Sequence, residues 1–365
     1  MLVPACDDFV SHAFATIRDI RTCGPRVTGI DFPELLELDA LARAGGVHLE
    51  RRLLCSVPLG ANELPVHAYL LGSAAPDAPA VGFFGGVHGL ERIGAEVVIA
   101  YLRSLVMRLR WDETLHRQLE AMRFLFVPLV NPGGVVQGTR ANPNGVDLMR
   151  NAPVDAQDRV PYLIGGQRIS AALPWYRGAP GTPMERESEA LCRAVREELQ
   201  SRPFSIAVDC HSGFGLRDRI WYPYAHTARP IACLPEFHAL FETMDETLTH
   251  HRYIVEPQSH QYLAHGDLWD HLCLSTPPQR VFLPLTLEMG SWLWIRKNPR
   301  QLLSRHGMFN PMIEHRQQRV LRRHTAWLDF IARAAGSHLR WAPTGDDRER
   351  HRQLAMLRWY GGGAR

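Results

Sequence analysis

Short apolar segments recur through this chain, each long enough for one buried strand, with helical patterns between them. They occupy residues 66–71, 80–84, 124–130, 206–209 and 281–288. Apolar runs of this length that are bounded by Gly, Pro or polar residues are typical of strands covered on both faces. The chain is therefore restricted to folds in which a central sheet is largely enclosed.

Helical patterns fill the intervals between these segments. Residues 95–109 place apolar side chains at 97, 98, 101, 102, 105, 106 and 109, the i, i+3, i+4 spacing of a half-buried helix. Residues 185–199 and 311–334 are also predicted to be helical, and acidic residues crowd the first turn of the former. Strands alternating with helices predict an α/β fold, a parallel or mixed sheet with helices on both faces.

Composition excludes several classes of protein. The 365 residues are 45% hydrophobic and 22% charged with a net charge of +3, so neither nucleic acid nor a membrane surface is expected as a partner. No apolar stretch approaches the roughly 18 residues of a membrane span. Seven scattered cysteines without a Cys-x-x-Cys pair, and an N-terminus that does not resemble a secretory signal, predict reduced thiols and a cytoplasmic location.

A histidine and a glutamate directly follow the apolar segment 80–84. His88 and Glu91 are three residues apart, a spacing that lets both side chains face one zinc ion. Among 18 histidines about one such spacing is expected by chance, so the pair needs further ligands to carry weight.

Two later strands supply the remaining groups. His211 stands where the predicted strand 206–209 ends, the edge at which α/β sheets bind ligands, and Asp209 is placed to orient an imidazole. Glu288 ends the apolar strand 281–288, where an unpaired carboxylate would be costly to bury. We predict His88, Glu91 and His211 as zinc ligands and Glu288 as the general base for a zinc-activated water.

The Gly- and Pro-rich segment 131–182 carries two arginines suited to anions. A long loop in a compact domain is usually functional. Arg140 and Arg150 both lie in its first half, and the planar guanidinium fork matches oxyanions and carboxylates. Two such groups in one site favour a substrate that has a free carboxylate.

The ordered motifs resemble the zinc carboxypeptidases of the M14 (funnelin) family. His-Gly-x-Glu is followed by Asn-Pro-x-Gly, by an Arg before Gly-Val-Asp-Leu-x-Arg-Asn, by a strand ending in His-Ser, by a Tyr loop and by a strand with Glu, over about 200 residues. The resemblance implies an eight-stranded mixed sheet and one zinc ion. It assigns carbonyl polarisation to Arg140, substrate binding to Arg150, Asn151 and Tyr262, and the base to Glu288.

The chain departs from the family pattern at its substrate end. Met149 stands where the family has an Asn that helps to hold the substrate carboxylate, and a thioether donates no hydrogen bond. Ala152-Pro153 replaces an aromatic residue. An insertion between Tyr262 and Glu288 leaves Trp269 and Cys273 as alternatives for the base of the specificity pocket.

Several alternatives stay open from sequence alone. Because Met149 replaces the Asn, an N-acyl amino-acid deacylase or a cell-wall peptide amidase is an alternative function. A non-catalytic zinc protein is a third hypothesis. A second metal among further histidines is the less favoured interpretation of His250, His251, His260, His265 and His271. The predicted division is a lead-in at 1–60, a catalytic domain at 61–340 and a C-terminal tail at 341–365.

Overall fold

A single eight-stranded sheet organises the molecule. The structure, a computed structural model, describes residues 32–361. The strands run in the order β1-β2-β4-β3-β5-β8-β6-β7. The central strands β4, β3, β5 and β8 are mutually parallel, while β2 and β6 join them in the antiparallel sense. The bounds are β1 Glu50–Leu59, β2 Asn62–Gly72, β3 Ala80–Gly85, β4 Arg123–Val127, β5 Phe204–Ser212, β6 Arg219–Tyr222, β7 Ile254–Pro257 and β8 Val281–Met289.

Helices cover both faces of this sheet. They are α1 Pro33–Gly45, α2 Arg92–Arg108, α3 Glu113–Ala121, α4 Pro132–Gln137, α5 Arg186–Val195, α6 Leu234–Thr247, α7 Leu268–Ser275, α8 Trp292–Lys297, α9 Glu314–Gly336, α10 His338–Trp341 and α11 Gly345–Ala355. One apolar cluster joins α2, α6 and α9 to one face, and a second joins α5 and α7 to the other. Across residues 32–361, every helix is too short or too polar to cross a membrane.

The predicted α/β class and the five predicted strands are confirmed. Each predicted strand overlaps β2, β3, β4, β5 or β8, although β4 ends at Val127 rather than at 130. The helices predicted at 95–109, 185–199 and 311–334 correspond to α2, α5 with its π-helical extension Arg196–Gln200, and α9. The strands that the pattern missed are β1, at one end of the sheet, and the four-residue strands β6 and β7, toward the other end.

The alternation of side chains along β5 and β8 sets the position of the active-site groups. Ile206, Val208 and Cys210 point into the cluster with α2. Asp209 and His211, which have the opposite parity, therefore share the other face of β5. On β8, Glu288 pairs in register with His211 and is expected to point to the same side. This register brings a histidine and a carboxylate from two distant segments side by side.

The two ends of the described chain are integral to the fold. The predicted boundary at residue 60 falls in the turn between β1 and β2, which pair along their whole length. The segment predicted as a C-terminal tail contains α11 and a π-helical turn, Met356–Tyr360, whose Trp359 is 7% exposed. Residues 1–31 and 362–365 lie outside the described residues, and the division into domains stays a prediction.

Candidate active site

The loop after β3 holds two of the predicted ligands. β3 ends at Gly85, and His88 and Glu91 lie in the turn that leads into α2. Gly89 lets this turn pack tightly, because a Cβ at that position would lie 2.0 Å from the backbone of Gly134. Both ligand side chains are buried, at 3% exposure each.

The three predicted ligands converge on one point. The Nδ1 atom of His88 lies 3.0 Å from Glu91 Oε1, and the Nδ1 atom of His211 lies 3.1 Å from Glu91 Oε2. The two Nδ1 atoms are 3.2 Å apart. Ser212 donates its backbone N–H to Glu91 Oε2 at 3.0 Å, which fixes the carboxylate between the two rings.

A carboxylate stands behind each imidazole ring. His88 Nε2 lies 3.1 Å from Asp147 Oδ1, and His211 Nε2 lies 2.7 Å from Asp209 Oδ2. Trp269 also donates its indole N–H to Asp209 Oδ2, at 3.0 Å. A histidine that donates its Nε2–H to a carboxylate presents an unprotonated Nδ1. The Nδ1 lone pairs of His88 and His211 face each other beside Glu91, and a cation between them would stabilise this arrangement. The residues therefore fit zinc in both chemistry and orientation.

Charge shifts the pKa values of these groups strongly. Burial raises the pKa of Glu91, but His88 and His211 outweigh burial and hold it well below its ordinary value. Burial lowers the pKa of His211, yet the charges of Asp209 and Glu91 raise it overall. Arg140 and His88 likewise overcome burial and lower the pKa of Asp147. The pocket is therefore built around ionised carboxylates that attract positive charge.

Glu288 occupies the place expected of a base. Its Oε1 accepts the backbone N–H of Phe214 at 3.0 Å, which orients the carboxyl. Burial and the negative charge of Glu91 raise the pKa of Glu288 to about 8, against the opposing charges of His211 and Arg140. A cation held by Glu91 would offset that repulsion and favour the ionised form.

Arg140 is fixed beside the predicted metal ligands. Its Nε donates to Asp147 Oδ2 at 2.8 Å, and one terminal nitrogen donates to Glu91 Oε1 at 3.1 Å. Burial lowers the pKa of Arg140, but Asp147 and Glu91 raise it overall, so the guanidinium stays charged. Its side chain is 24% exposed, so the group remains open to a substrate.

Arg150 is buried and forms no salt bridge with a carboxylate among residues 32–361. It is 2% exposed, and its guanidinium donates only to the carbonyls of Met149 and Ile164 and to the hydroxyl of Tyr262. The guanidinium carbon lies 5.8 Å from the centre of the Tyr262 ring. The charges of Asp147 and Asp267 act on this guanidinium, but neither carboxylate accepts a hydrogen bond from it, so its donors favour an anion.

Two neighbours of Arg150 take up other contacts. Asn151 donates to the carbonyl of Arg177 at 3.0 Å and accepts from the backbone N–H of Glu185 at 2.6 Å. These bonds favour a positioning role, and direct substrate binding by Asn151 stays a prediction. Met149 is 5% exposed and belongs to the apolar cluster under α5 and α7. The thioether thus adds to the core beside the substrate site.

Helix α7 and its N-cap carry both alternatives for the base of the pocket and one group, Asp267, that the sequence alone did not assign. Trp269, one alternative for the base of the pocket, packs on Phe84 with the ring centres 5.1 Å apart. Its indole N–H donates to Asp209, so Trp269 supports the metal ligands. Cys273 packs against both apolar clusters. Asp267 caps α7 through Oδ1, while its Oδ2 is buried without a hydrogen-bond partner within residues 32–361. Asp147 was also unassigned, although it stands in the quoted Gly-Val-Asp-Leu motif.

Comparison with known families decides the classification of this site. The zinc carboxypeptidase family model, Peptidase_M14, matches residues 54–290, which include every group described above. The chain belongs to the zinc carboxypeptidase family. Among curated proteins, the carboxypeptidase N catalytic chain of Rattus norvegicus is 28% identical over 170 residues, which cover 42% of this chain and 34% of that protein. This chain therefore spans about a third of the curated relative that it matches.

Solved structures confirm the fold of a zinc carboxypeptidase. Thrombin-activatable fibrinolysis inhibitor superposes with a TM-score of 0.62 at 17% identity, covering 90% of this chain and 80% of that one. Carboxypeptidase A from Helicoverpa armigera superposes with a TM-score of 0.61 at 14% identity, covering 92% and 82%. The predicted eight-stranded mixed sheet is thereby confirmed.

Proposed function

We propose that this protein is a zinc-dependent metallocarboxypeptidase that hydrolyses a C-terminal peptide bond. The observation that carries the proposal is the convergence of His88, Glu91 and His211 on one point, with Glu288 on the adjacent strand. The family to which the chain belongs is named for this activity. Arg150, which is buried and forms no salt bridge within the described chain, supports a substrate with a free carboxylate.

His88, Glu91 and His211 would hold the zinc ion. When bound, zinc lowers the pKa of a water molecule and polarises a carbonyl oxygen. Glu288 removes the proton from the attacking water and transfers it to the nitrogen of the leaving amine, so one carboxyl serves both steps. The Phe214 N–H that bonds Oε1 holds Glu288 in one orientation for both transfers.

Arg140 and Arg150 have separate roles in catalysis and substrate binding. Arg140 has two of its nitrogens committed to Asp147 and Glu91, and its third is the donor that we assign to the oxyanion that forms from the scissile carbonyl. Arg150 binds the C-terminal carboxylate of the peptide, and Tyr262, whose hydroxyl is 3.4 Å from Arg150, covers it. The scissile bond is then one residue from the peptide end.

A matched set of substrates tests this proposal. Zinc-loaded protein is incubated with a panel of N-blocked dipeptides, their C-terminal amides and the corresponding N-acyl amino acids, and released amino acids are quantified. We expect cleavage of peptides with a free carboxylate and at least about tenfold lower kcat/KM for the amides, the loss expected for a charged hydrogen bond. Cleavage of the acyl amino acids alone would indicate a deacylase, and no cleavage by the zinc-loaded protein would indicate a non-catalytic zinc protein.

We also propose a cellular setting, and this part of the proposal is supported by composition alone. The scattered cysteines support a cytoplasmic location, and the small net charge supports a peptide rather than a nucleic acid as the partner. Both remain part of the proposal. A protease-protection assay on fractionated cells expressing the tagged full chain separates a cytoplasmic from an exported protein.

A further inference from the structure

Two buried histidines face each other across the contact between α6 and α11. His238 on α6 and His351 on α11 are 6% and 4% exposed, and their Nδ1 atoms are 2.9 Å apart. Each has a carboxylate one helical turn away, Glu242 after His238 and Asp347 before His351. Residues four apart lie on the same face of a helix, so the two helices direct two imidazoles and two carboxylates at one place.

The donor set has the composition of a metal site. One ligand atom from each of His238, Glu242 and His351 lies within 4.8 Å of the other two. Asp347 Oδ2 is a further 3.7 Å from His351 Nε2. Across residues 32–361, this group and the active-site ligands are the two places where three such donors meet. Imidazole and carboxylate together suit zinc and similar divalent transition ions. The histidines at 250, 251, 260, 265 and 271 belong to neither group.

Helix α11 has few apolar side chains that can pack against the rest of the protein. Its sequence, Gly-Asp-Asp-Arg-Glu-Arg-His-Arg-Gln-Leu-Ala, buries only His351 and Ala355. Arg348 forms two hydrogen bonds to Glu236 of α6, at 2.6 and 3.3 Å, but its side chain is 38% exposed. Partly exposed ion pairs contribute little to stability. The polar helix is therefore attached to α6 mainly through the buried histidine pair and through Trp359, which follows α11 and packs on His238 and Phe241.

One neighbouring cation competes with a metal. Arg350 donates to His351 Nε2 at 3.2 Å and to Asp347 Oδ1 at 3.0 Å. Its side chain is 57% exposed, so it is free to swing into solvent when His351 binds an ion. Without a metal, this bond leaves the proton of His351 on Nδ1, where it donates to His238. The carboxylates nearest His351 Nε2 are Asp347 Oδ2, at 3.7 Å, and Glu242 Oε2, at 4.0 Å, so an ion held at Nε2 takes the place of the Arg350 guanidinium.

We propose that His238, Glu242 and His351 bind a divalent transition metal ion of the zinc type, with Asp347 as a further ligand. The ion joins α11 to α6 and stabilises the folded chain, because a ligand that binds only the native state shifts the unfolding equilibrium toward it. This site uses none of the residues assigned to hydrolysis, so its existence does not depend on the proposed activity.

Zinc stoichiometry tests the proposal on the full chain. Chelator-stripped protein is titrated with Zn²⁺ against a coloured competing chelator, and thermal unfolding is followed at each addition. We expect the wild-type protein to bind two equivalents and to gain thermal stability with both. His351→Asn and Glu242→Gln should each keep one equivalent and weaken the second at least about tenfold, since even groups that only support a ligand change metal affinity 10- to 100-fold.

Two further variants sharpen the test. Arg350→Gln removes the competing cation and should tighten the second equivalent, a gain that general damage to the fold would not produce. His315→Asn removes an exposed histidine at the start of α9 and should leave both equivalents unchanged. Binding of a single equivalent that His351→Asn and Glu242→Gln both retain with wild-type affinity would overturn the proposal. The proposal would also be overturned if Glu242→Gln bound the second equivalent as tightly as the wild-type protein does. This outcome can be read even if His351→Asn fails to fold.

Discussion

The Nδ1 atoms of His88 and His211 lie 3.2 Å apart, and the Nε2 atom of each ring faces a buried carboxylate. Asp147 and Asp209 therefore fix both rings in the orientation that directs their lone pairs at Glu91. The ligands come from a loop after β3 and from the end of β5, two adjacent parallel strands. The predicted metal centre is thus held by the sheet itself.

Removing the carboxylate behind His211 should weaken zinc binding without removing a ligand. In Asp209→Asn, a neutral amide replaces the anion that accepts the hydrogen bond from His211 Nε2. We therefore expect a 10- to 100-fold loss of zinc affinity. Competition with a coloured chelator measures it, and activity should return at saturating zinc. Asp158→Asn, at an exposed position of the long loop, is the control. An Asp209→Asn protein with wild-type affinity would show that the ring needs no such support.

Arg150 should determine the preference for a free C-terminus. Arg150→Gln loses the charged hydrogen bonds to the substrate carboxylate, each worth about 1.5–3 kcal/mol. We expect KM for the peptide acid to rise while the poor activity on the matching amide changes little. The ratio of kcat/KM for acid and amide reports the effect, and folding is checked by thermal unfolding. A variant that kept the wild-type ratio would contradict the assignment.

Replacing Met149 by asparagine should destabilise the folded protein. Its thioether lies in the apolar cluster under α5 and α7, so Met149→Asn places an amide where it lacks partners and should lower the free energy of unfolding by about 1–3 kcal/mol. Urea unfolding measures the change. Met312→Asn, the same substitution at a side chain that is 52% exposed, should have little effect. Unchanged stability with a lower KM would instead mean that the new amide reaches the substrate carboxylate.

Stability should fall in mild acid because of one buried histidine on α9. His324 is 1% exposed and its Nδ1 accepts the hydroxyl of Tyr253; burial lowers its pKa from 6.5 to about 4. Between these values the unfolded chain binds a proton that the folded chain does not, so stability is lost as the pH falls from 6.5 toward 4.

The size of this loss can be isolated by substitution. The shift corresponds to about 3 kcal/mol at the acid end of the range. His324→Gln should therefore lose less stability than the wild-type protein between pH 7.5 and pH 4.5 in urea unfolding, whatever its stability at neutral pH. Equal losses in the two proteins would show that His324 does not carry this dependence.

Sequence patterns predicted the parts of the site that are local in the chain. The spacing of His88 and Glu91, and the position of His211 at a strand end, followed from residue types and periodicity. The register that sets Glu288 opposite His211 comes from strand pairing across 77 residues, which a single sequence does not reveal. The contact between His238 and His351 spans 113 residues and two separate helices, so no motif marks it.

The strands β1, β6 and β7 were missed for a related reason. β6 and β7 are four residues each, too short for a recognisable alternation. β1 begins Glu-Arg-Arg and lies at the end of the sheet, where exposed side chains are accepted. Long runs buried on both faces are what make a strand recognisable in sequence, and β1 and β7 lack this burial while β6 is too short to show it.

Glu288→Gln gives the most direct test of the proposed mechanism. The amide keeps the size of the side chain but cannot accept the proton of the attacking water, so kcat should fall by about 10²–10⁴-fold, the usual contribution of a general base. Zinc content by mass spectrometry should stay at the wild-type value, and Glu314→Gln, an exposed substitution on α9, should retain full activity. A Glu288→Gln protein with normal zinc content and near wild-type kcat would contradict the assignment of Glu288 as the base.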